Sequence, residues 1–255
     1  PAVIAATDLP AGLALDAAAD GTARVHGTPT VAPGEYRIPL TATNDRGQTS
    51  AEFVLTLTAP PSFTTPATGT ATVGTPLDFP IAVDPGYPAL NTVELIVAPA
   101  WISLVGAPGD QRLVGTPPAL AGGTASVTLH IVGSTVTQRI DFTVDEAPAI
   151  TAQPASVTVN AGRDAVFSAS ATGFPAPTVQ WQRNDGDGWV DIAGATSTTL
   201  TVTTTITDDG ARLRAVFTNA VASATSEEAL LTVGERPSLA PIDPVTTDAD
   251  GSYSF

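Results

Sequence analysis

Acid–base or metal chemistry in this sequence would have to start from its carboxylates and two histidines, because it contains no Cys. Hard cations are held by clustered oxygen ligands, and three short runs offer them. These are Asp145 with Glu146, Asp185 with Asp187 in Asn184-Asp185-Gly186-Asp187-Gly188, and Asp248 with Asp250. Asp beside Gly is equally the composition of a turn, so calcium ligand and turn former both stand, the turn being the simpler. His130 lies between Leu129 and Ile131, and His26 beside Val25, so period-two geometry turns both away from a core. Neither has a partner motif. There is no Gly-x-Ser-x-Gly elbow, and the absence of Lys rules out a phosphate-binding P-loop. Glycoside hydrolysis needs two carboxylates facing each other across a cleft. The pairs Asp208-Asp209 and Glu227-Glu228 instead fall in a turn and on a strand flank, as solvated charges. A sugar-binding face needs a row of exposed aromatics. Trp101 and Trp181 are assigned to cores and Tyr36 and Tyr87 are scattered, which leaves Trp189, beside Asp187, as a ligand contact or as packing on its own sheet. Arg212 and Arg214 alternate outward and are expected to pair with acidic neighbours. No catalytic site emerges.

The elements that must position these residues are legible in the composition. At 255 residues the chain suits two or three domains. Hydrophobic residues at 43% supply a core, and the abundance of Thr and Val favours pleated, half-buried surfaces. With 22 Gly and 23 Pro, short runs are punctuated as an all-β chain requires. No Cys means no disulfide, and no Lys means no Lys–Asn or Lys–Asp isopeptide crosslink, so stability must come from packing. A net charge of −15 argues against nucleic acid and anionic membrane surfaces as partners. The longest apolar run, Leu95 to Ile102, is broken by Pro99 and is too short to insert into a bilayer. The sequence does not begin with Met and reads as a piece of a longer one.

Internal repetition organises the chain. Leu9-Pro10-Ala11-Gly12-Leu13-Ala14-Leu15 is echoed by Ala98-Pro99-Ala100-Trp101-Ile102-Ser103-Leu104, and Val25-His26-Gly27-Thr28-Pro29 by Leu113-Val114-Gly115-Thr116-Pro117. Ile38, Leu40 and Ala42 then fall against Val127, Leu129 and Ile131, and Phe53, Leu55 and Leu57 against Ile140, Phe142 and Val144. The offset of about 88 residues, with strands at short regular spacing, is the signature of a β-sandwich. The second repeat carries a strand, Leu77, Phe79, Ile81 and Val83, ahead of its Pro99 element. The first has only Pro1 to Leu9 there. Residues 1–58 are therefore expected to be an incomplete sandwich with an open edge or core face. Joins near Ala59-Pro60-Pro61, Glu146-Ala147-Pro148 and Gly234-Glu235-Arg236-Pro237 are short and Pro-stiffened.

The Leu-Pro strand, the Gly-Thr-Pro turn and the alternating strand ending Ala42-Thr43-Asn44 resemble the bacterial putative-Ig family, whose fold is cadherin-like. Residues 61–145 match more loosely, Gly133 standing in place of that Asn. In residues 147–234, Gly162, Ala169, Trp181, Asp209-Gly210 and Ala215 resemble an intermediate-type immunoglobulin domain. The resemblance puts that family's cysteine positions at Ala169 and Ala215, its tyrosine-corner position at Leu213, and Trp181 at the core centre. Pro237 to Phe255, with Tyr253 and Phe255 alternating, reads as a linker and the first strand of a further module. The expected fold is thus all-β, in tandem immunoglobulin-like and cadherin-like sandwiches divided as 1–58, 59–146, 147–234 and 235–255, the first and last incomplete. The resemblance implies a non-catalytic structural or adhesive stalk of a secreted or surface-anchored bacterial protein. Its partners would be neighbouring modules of the parent chain and a cell-surface protein or glycan, and it would carry no cofactor unless calcium sits at its junctions. The alternative is an accessory or glycan-binding segment of a large secreted hydrolase.

Overall fold

The computed structural model of the protein describes residues 1–235. The chain divides into two compact units, Pro1–Val144 and the part from Asp145 on. The expected strand within Pro237–Phe255, together with Asp248 and Asp250, lies outside the described residues.

Residues 1–58 contribute β1 (Val3–Ala6), β2 (Leu13–Ala17), β3 (Ala23–Gly27), β4 (Gly34–Asn44) and β5 (Gly47–Leu57). Strands β1, β4 and β5 form one antiparallel sheet and β2 pairs with β3 in a hairpin. Alternation along β4 sends Ile38 and Leu40 inward and Glu35 and Arg37 outward. Ile38 is fully buried, whereas Ile4, Leu15, Val25 and Leu40 are only half-buried and Phe53 keeps 37% of its surface in solvent.

Residues 59–144 add β6 (Ser62–Phe63), β7 (Thr68–Thr72), β8 (Leu77–Pro80), β9 (Val83–Asp84), β10 (Val93–Val97), β11 (Ile102–Val105), β12 (Arg112–Gly115), β13 (Gly123–Ile131) and most of β14 (Thr137–Ala152). One sheet runs β10-β13-β14 with β7 also on β14, and the other runs β11-β12-β8. Their inward residues close a core of Ile102, Leu113, Val127, Leu129, Ile140, Phe142 and Val144, all buried. Phe79 of β8 meets Phe142 of β14 edge-on at 5.1 Å, tying the sheets together. Trp101 packs half-buried at the margin of this core. The Gly of the repeated Gly-Thr-Pro turn has a physical reason at both places. Gly27 (φ +118°) and Gly115 (φ +157°) lie so close to the carbonyl oxygens of Gly12 and Trp101 that a Cβ would collide.

From Asp145 on, β14 is followed by β15 (Val157–Asn160), β16 (Asp164–Ser168), β17 (Ser170–Phe174), β18 (Thr178–Asn184), β19 (Val190–Asp191), β20 (Thr199–Thr203), β21 (Arg212–Thr218), β22 (Ser223–Thr225) and β23 (Ala229–Gly234). β15 lies parallel to β23, which leads through β21 to β18 and β19; β16 pairs with β20, and β17 with the end of β14. Phe167, Trp181, Leu213, Phe217, Leu231 and both alanines, Ala169 and Ala215, fill one core. The fully buried Trp181 donates its indole N–H to the Ser197 carbonyl at 2.8 Å, so the ring brings no unpaired polar group inside. Ser226 does similar service at the edge of β21, its hydroxyl accepting the Ala215 N–H at 2.9 Å.

Replacing a fully buried Trp removes its contacts and leaves a cavity. We expect Trp181→Ala to cost about 3–5 kcal/mol, and Trp101→Ala, half-exposed, distinctly less. Urea unfolding followed by far-ultraviolet circular dichroism checks the ranking; equal losses would contradict it.

Candidate functional site

The loop joining β18 to β19 collects more of the chemistry-bearing residues than any other place in the described structure. Asn184 organises it: its side-chain oxygen accepts the N–H groups of Gly186 (2.8 Å) and Gly188 (3.2 Å), an Asx-type closure that makes the loop its own scaffold. Arg183, just before it, is held between two carboxylates, Asp185 at 2.8 Å and Asp208 at 2.7 Å. Asp208 also accepts the backbone N–H of Thr205 at 2.6 Å and its hydroxyl at 2.8 Å. Partial burial opposes the charged form of Asp208, but the Thr205 bonds and then Arg183 outweigh it and hold the carboxyl below its ordinary value.

Beside this cluster runs a polar ladder across three strands. The Arg214 guanidinium lies 4.1 Å from the centre of the Trp189 ring and donates to the side-chain amide oxygen of Gln182 at 2.8 Å. Gln182 in turn donates to Asp191 at 2.8 Å. These residues meet because Gln182 sits opposite both Arg214 on β21 and Asp191 on β19. A shallow depression of about 360 Å³ lies among Arg183, Asp185, Asp187 and Val190. Its half-buried cation, Arg183, is already neutralised by two carboxylates, and Trp189 has one ring face covered by Arg214. The place is therefore a tied-down surface and no reaction cleft.

The other expected residues are dispersed. Asp145 and Glu146 are consecutive residues of β14, so their side chains leave opposite faces of the strand. Asp187 shares the loop with Asp185, which is engaged by Arg183. Among the described residues no group of three or more His, Asp or Glu side chains could hold a metal ion. Arg212 pairs with Glu228 at 2.8 Å, as expected of an outward strand residue. Arg214 makes no ion pair among the described residues; Gln182 and Trp189 take it, because the opposing β18 presents an amide there and the loop before β19 lays the indole beneath it. His26 meets Asp16 at 3.0 Å. His130 points outward but is only 22% exposed, with Nδ1 at 2.7 Å from Glu94 and Nε2 at 2.8 Å from the Ser134 carbonyl. Among the described residues no helix is long and apolar enough to cross a membrane.

With this geometry in hand, comparison with known proteins is decisive for the fold. Residues 147–219 match the Immunoglobulin domain family and residues 2–58 the Putative Ig domain family. The chain is built of tandem immunoglobulin-like domains. Solved structures agree: an I-band fragment from titin superposes with a TM-score of 0.60 at 14% identity, covering 92% of this chain and 88% of that one. The N-terminal eight Ig domains of Down Syndrome Cell Adhesion Molecule give 0.57 at 17% identity, over 91% of this chain and 33% of theirs. At such identities the likeness concerns the fold. Among curated relatives, Endoglucanase C of Cellulomonas fimi is 57% identical over 90 residues, which is 35% of the Ig-like chain and 8% of that enzyme. Roundabout homolog 1 of Mus musculus is 30% identical over 79 residues, or 31% of the chain and 5% of the relative. The chain spans less than a tenth of the curated relatives it matches.

One titration follows from the Ig-like scaffold. Both nitrogens of His130 face acceptors, and only the doubly protonated ring can donate to both. The Ser134 carbonyl and then Glu94 raise its pKa above the ordinary value. A raised folded pKa contributes stability that is complete below the unfolded value, about 6.5, and fades as pH rises through the folded one. We expect NMR titration to place His130 above the ordinary histidine value, and His130→Gln to flatten the loss of stability from slightly acidic to alkaline pH. An unchanged pH profile would refute the assignment.

Proposed function

We propose that the chain is a non-catalytic accessory segment of a secreted bacterial polysaccharide-degrading enzyme, its immunoglobulin-like modules spacing and presenting a catalytic domain carried elsewhere. The observation that supports this most is the 57% identity with 90 residues of Endoglucanase C. The local chemistry is in keeping with it. Asp185 and Asp208 are bonded to Arg183, Asp208 also to Thr205, and Trp189 is stacked under Arg214, so these groups serve to hold a surface. Folded modules joined by short Pro-containing segments suit a spacer, whatever is attached to it. The adhesive stalk of a surface-anchored protein, with a cell-surface protein or glycan as partner, uses the same mechanics and differs in the attached domain. The endoglucanase match favours the enzyme.

The test separates spacing from binding and catalysis. The purified chain is incubated with carboxymethylcellulose and xylan, and separately with insoluble cellulose. Expected are no release of reducing sugar and no depletion from solution. Reducing sugar would overturn the proposal. Retention on cellulose that is lost in Trp189→Ala would replace the spacer with a substrate-binding module. Thermal unfolding in calcium and in chelator should share one midpoint, since no calcium site enters this role. A higher midpoint in calcium would restore the acidic runs as ligands.

A further inference from the structure

We propose that the β3 edge of residues 1–58 receives an added β-strand of apolar–acidic–apolar sequence, running antiparallel to β3 and closing the core face beneath it. Two sandwiches in one chain make the comparison internal. β2, β3, β4 and β5 correspond to β11, β12, β13 and the first part of β14 through the sequence repeat, and β1 corresponds to β10, each pairing with the strand that follows the turn. The second sandwich has four strands more, β6 to β9, of which β6 and β9 pair with each other. β7 lies on β14, and β8 lies on β12 with Phe79 opposite Leu113 and Leu77 opposite Gly115. Among the described residues neither β3 nor β5 has a counterpart to these strands.

The burial difference follows the missing strands position by position. Leu113, Leu129 and Ile140 are fully buried, while their counterparts Val25 and Leu40 are half-buried and Phe53 is exposed. A groove of about 320 Å³ lined by Ile4, Leu15, Ala23, Val25, Leu40 and Phe53 remains between the two layers. Every residue that lines it is of an apolar type, as suits a site for side chains such as Leu77 and Phe79.

Charge specifies the incoming strand further. In the second sandwich Asp78, on β8, bonds Arg112 of β12. The residue equivalent to Arg112 is Arg24, which makes no ion pair among the described residues. An acid placed as Asp78 is, opposite the position of Val114, would face His26 and reach Arg24. A strand added to an open edge gains main-chain hydrogen bonds, while alternate side chains set its register. The occupant is therefore a peptide strand of the β8 kind, with an apolar residue opposite Val25, an acid opposite His26 and an apolar residue opposite Gly27.

The experiment adds a synthetic peptide of residues 66–84, spanning β7 and β8, to the intact chain and follows amide exchange by mass spectrometry. Exchange across β3 should slow by about tenfold or more, with β12 and the strands after Asp145 unchanged. Arg24→Glu, a surface change that leaves the hydrophobic face intact, should weaken binding several-fold, and a peptide carrying Asp78→Arg should restore it to that variant. A Leu77→Asp, Phe79→Asp peptide should not bind. No protection of β3 at millimolar peptide, or protection indifferent to both charge swaps, overturns the proposal. So does protection of β3 that grows with chain concentration in the absence of peptide, which would give the face to a second copy.

Discussion

Two sheets closed over side chains that alternate along every strand are what the structure depends on. Period-two alternation alone decides which residues go inside, and a strand's worth of apolar area must be met by an equal area from the facing sheet. Where this holds, as around Trp181 or between Phe79 and Phe142, the inward residues vanish from solvent. In residues 1–58 Ile38 alone among the aliphatic core residues does so. The contrast lies in how many strands share the work, since the inward residues of the two repeats are of the same chemical kind.

Polar groups fit this scheme only when each is answered. Gln111 is the clearest case. Buried in the second sandwich, its amide accepts the Val93 N–H at 2.6 Å and donates to the Val93 carbonyl at 2.7 Å, imitating a neighbouring strand for one residue. Thr65 does the same for Ala82. No buried side-chain polar atom of the described residues lacks a partner, which is what distinguishes a specified core from a merely apolar one.

Much of this was legible beforehand, and the reasons differ by residue. Trp181, Ala169, Ala215, Phe167 and Phe217 were readable because alternation and a resemblance pointed to the same face. The repeated Gly-Thr-Pro turn was visible as spelling, and its cause, a backbone approach at Gly27 and Gly115, needed coordinates. Arg183 was missed altogether. Its partner Asp208 lies in the short helical turn Ile206–Asp208 before β21, far along the chain, and no spacing rule links them. Gln182 could have been found, since pairing β18 with β21 puts it opposite Arg214; the acidic partner expected for Arg214 came from charge alone and neglected what the neighbouring strand presents. The Asp185–Asp187 run illustrates the opposite case, in which composition marked a loop correctly while leaving its chemistry undecided.

The two alanines at the centre of the last described sandwich, where the resembling family places cysteines, carry a consequence for how such a domain comes to be made. Its maturation involves no electron acceptor, no thiol exchange and no order in which bridges must form. The same polypeptide can reach the same core in a reducing or an oxidising compartment, and a reductant added later has nothing to undo.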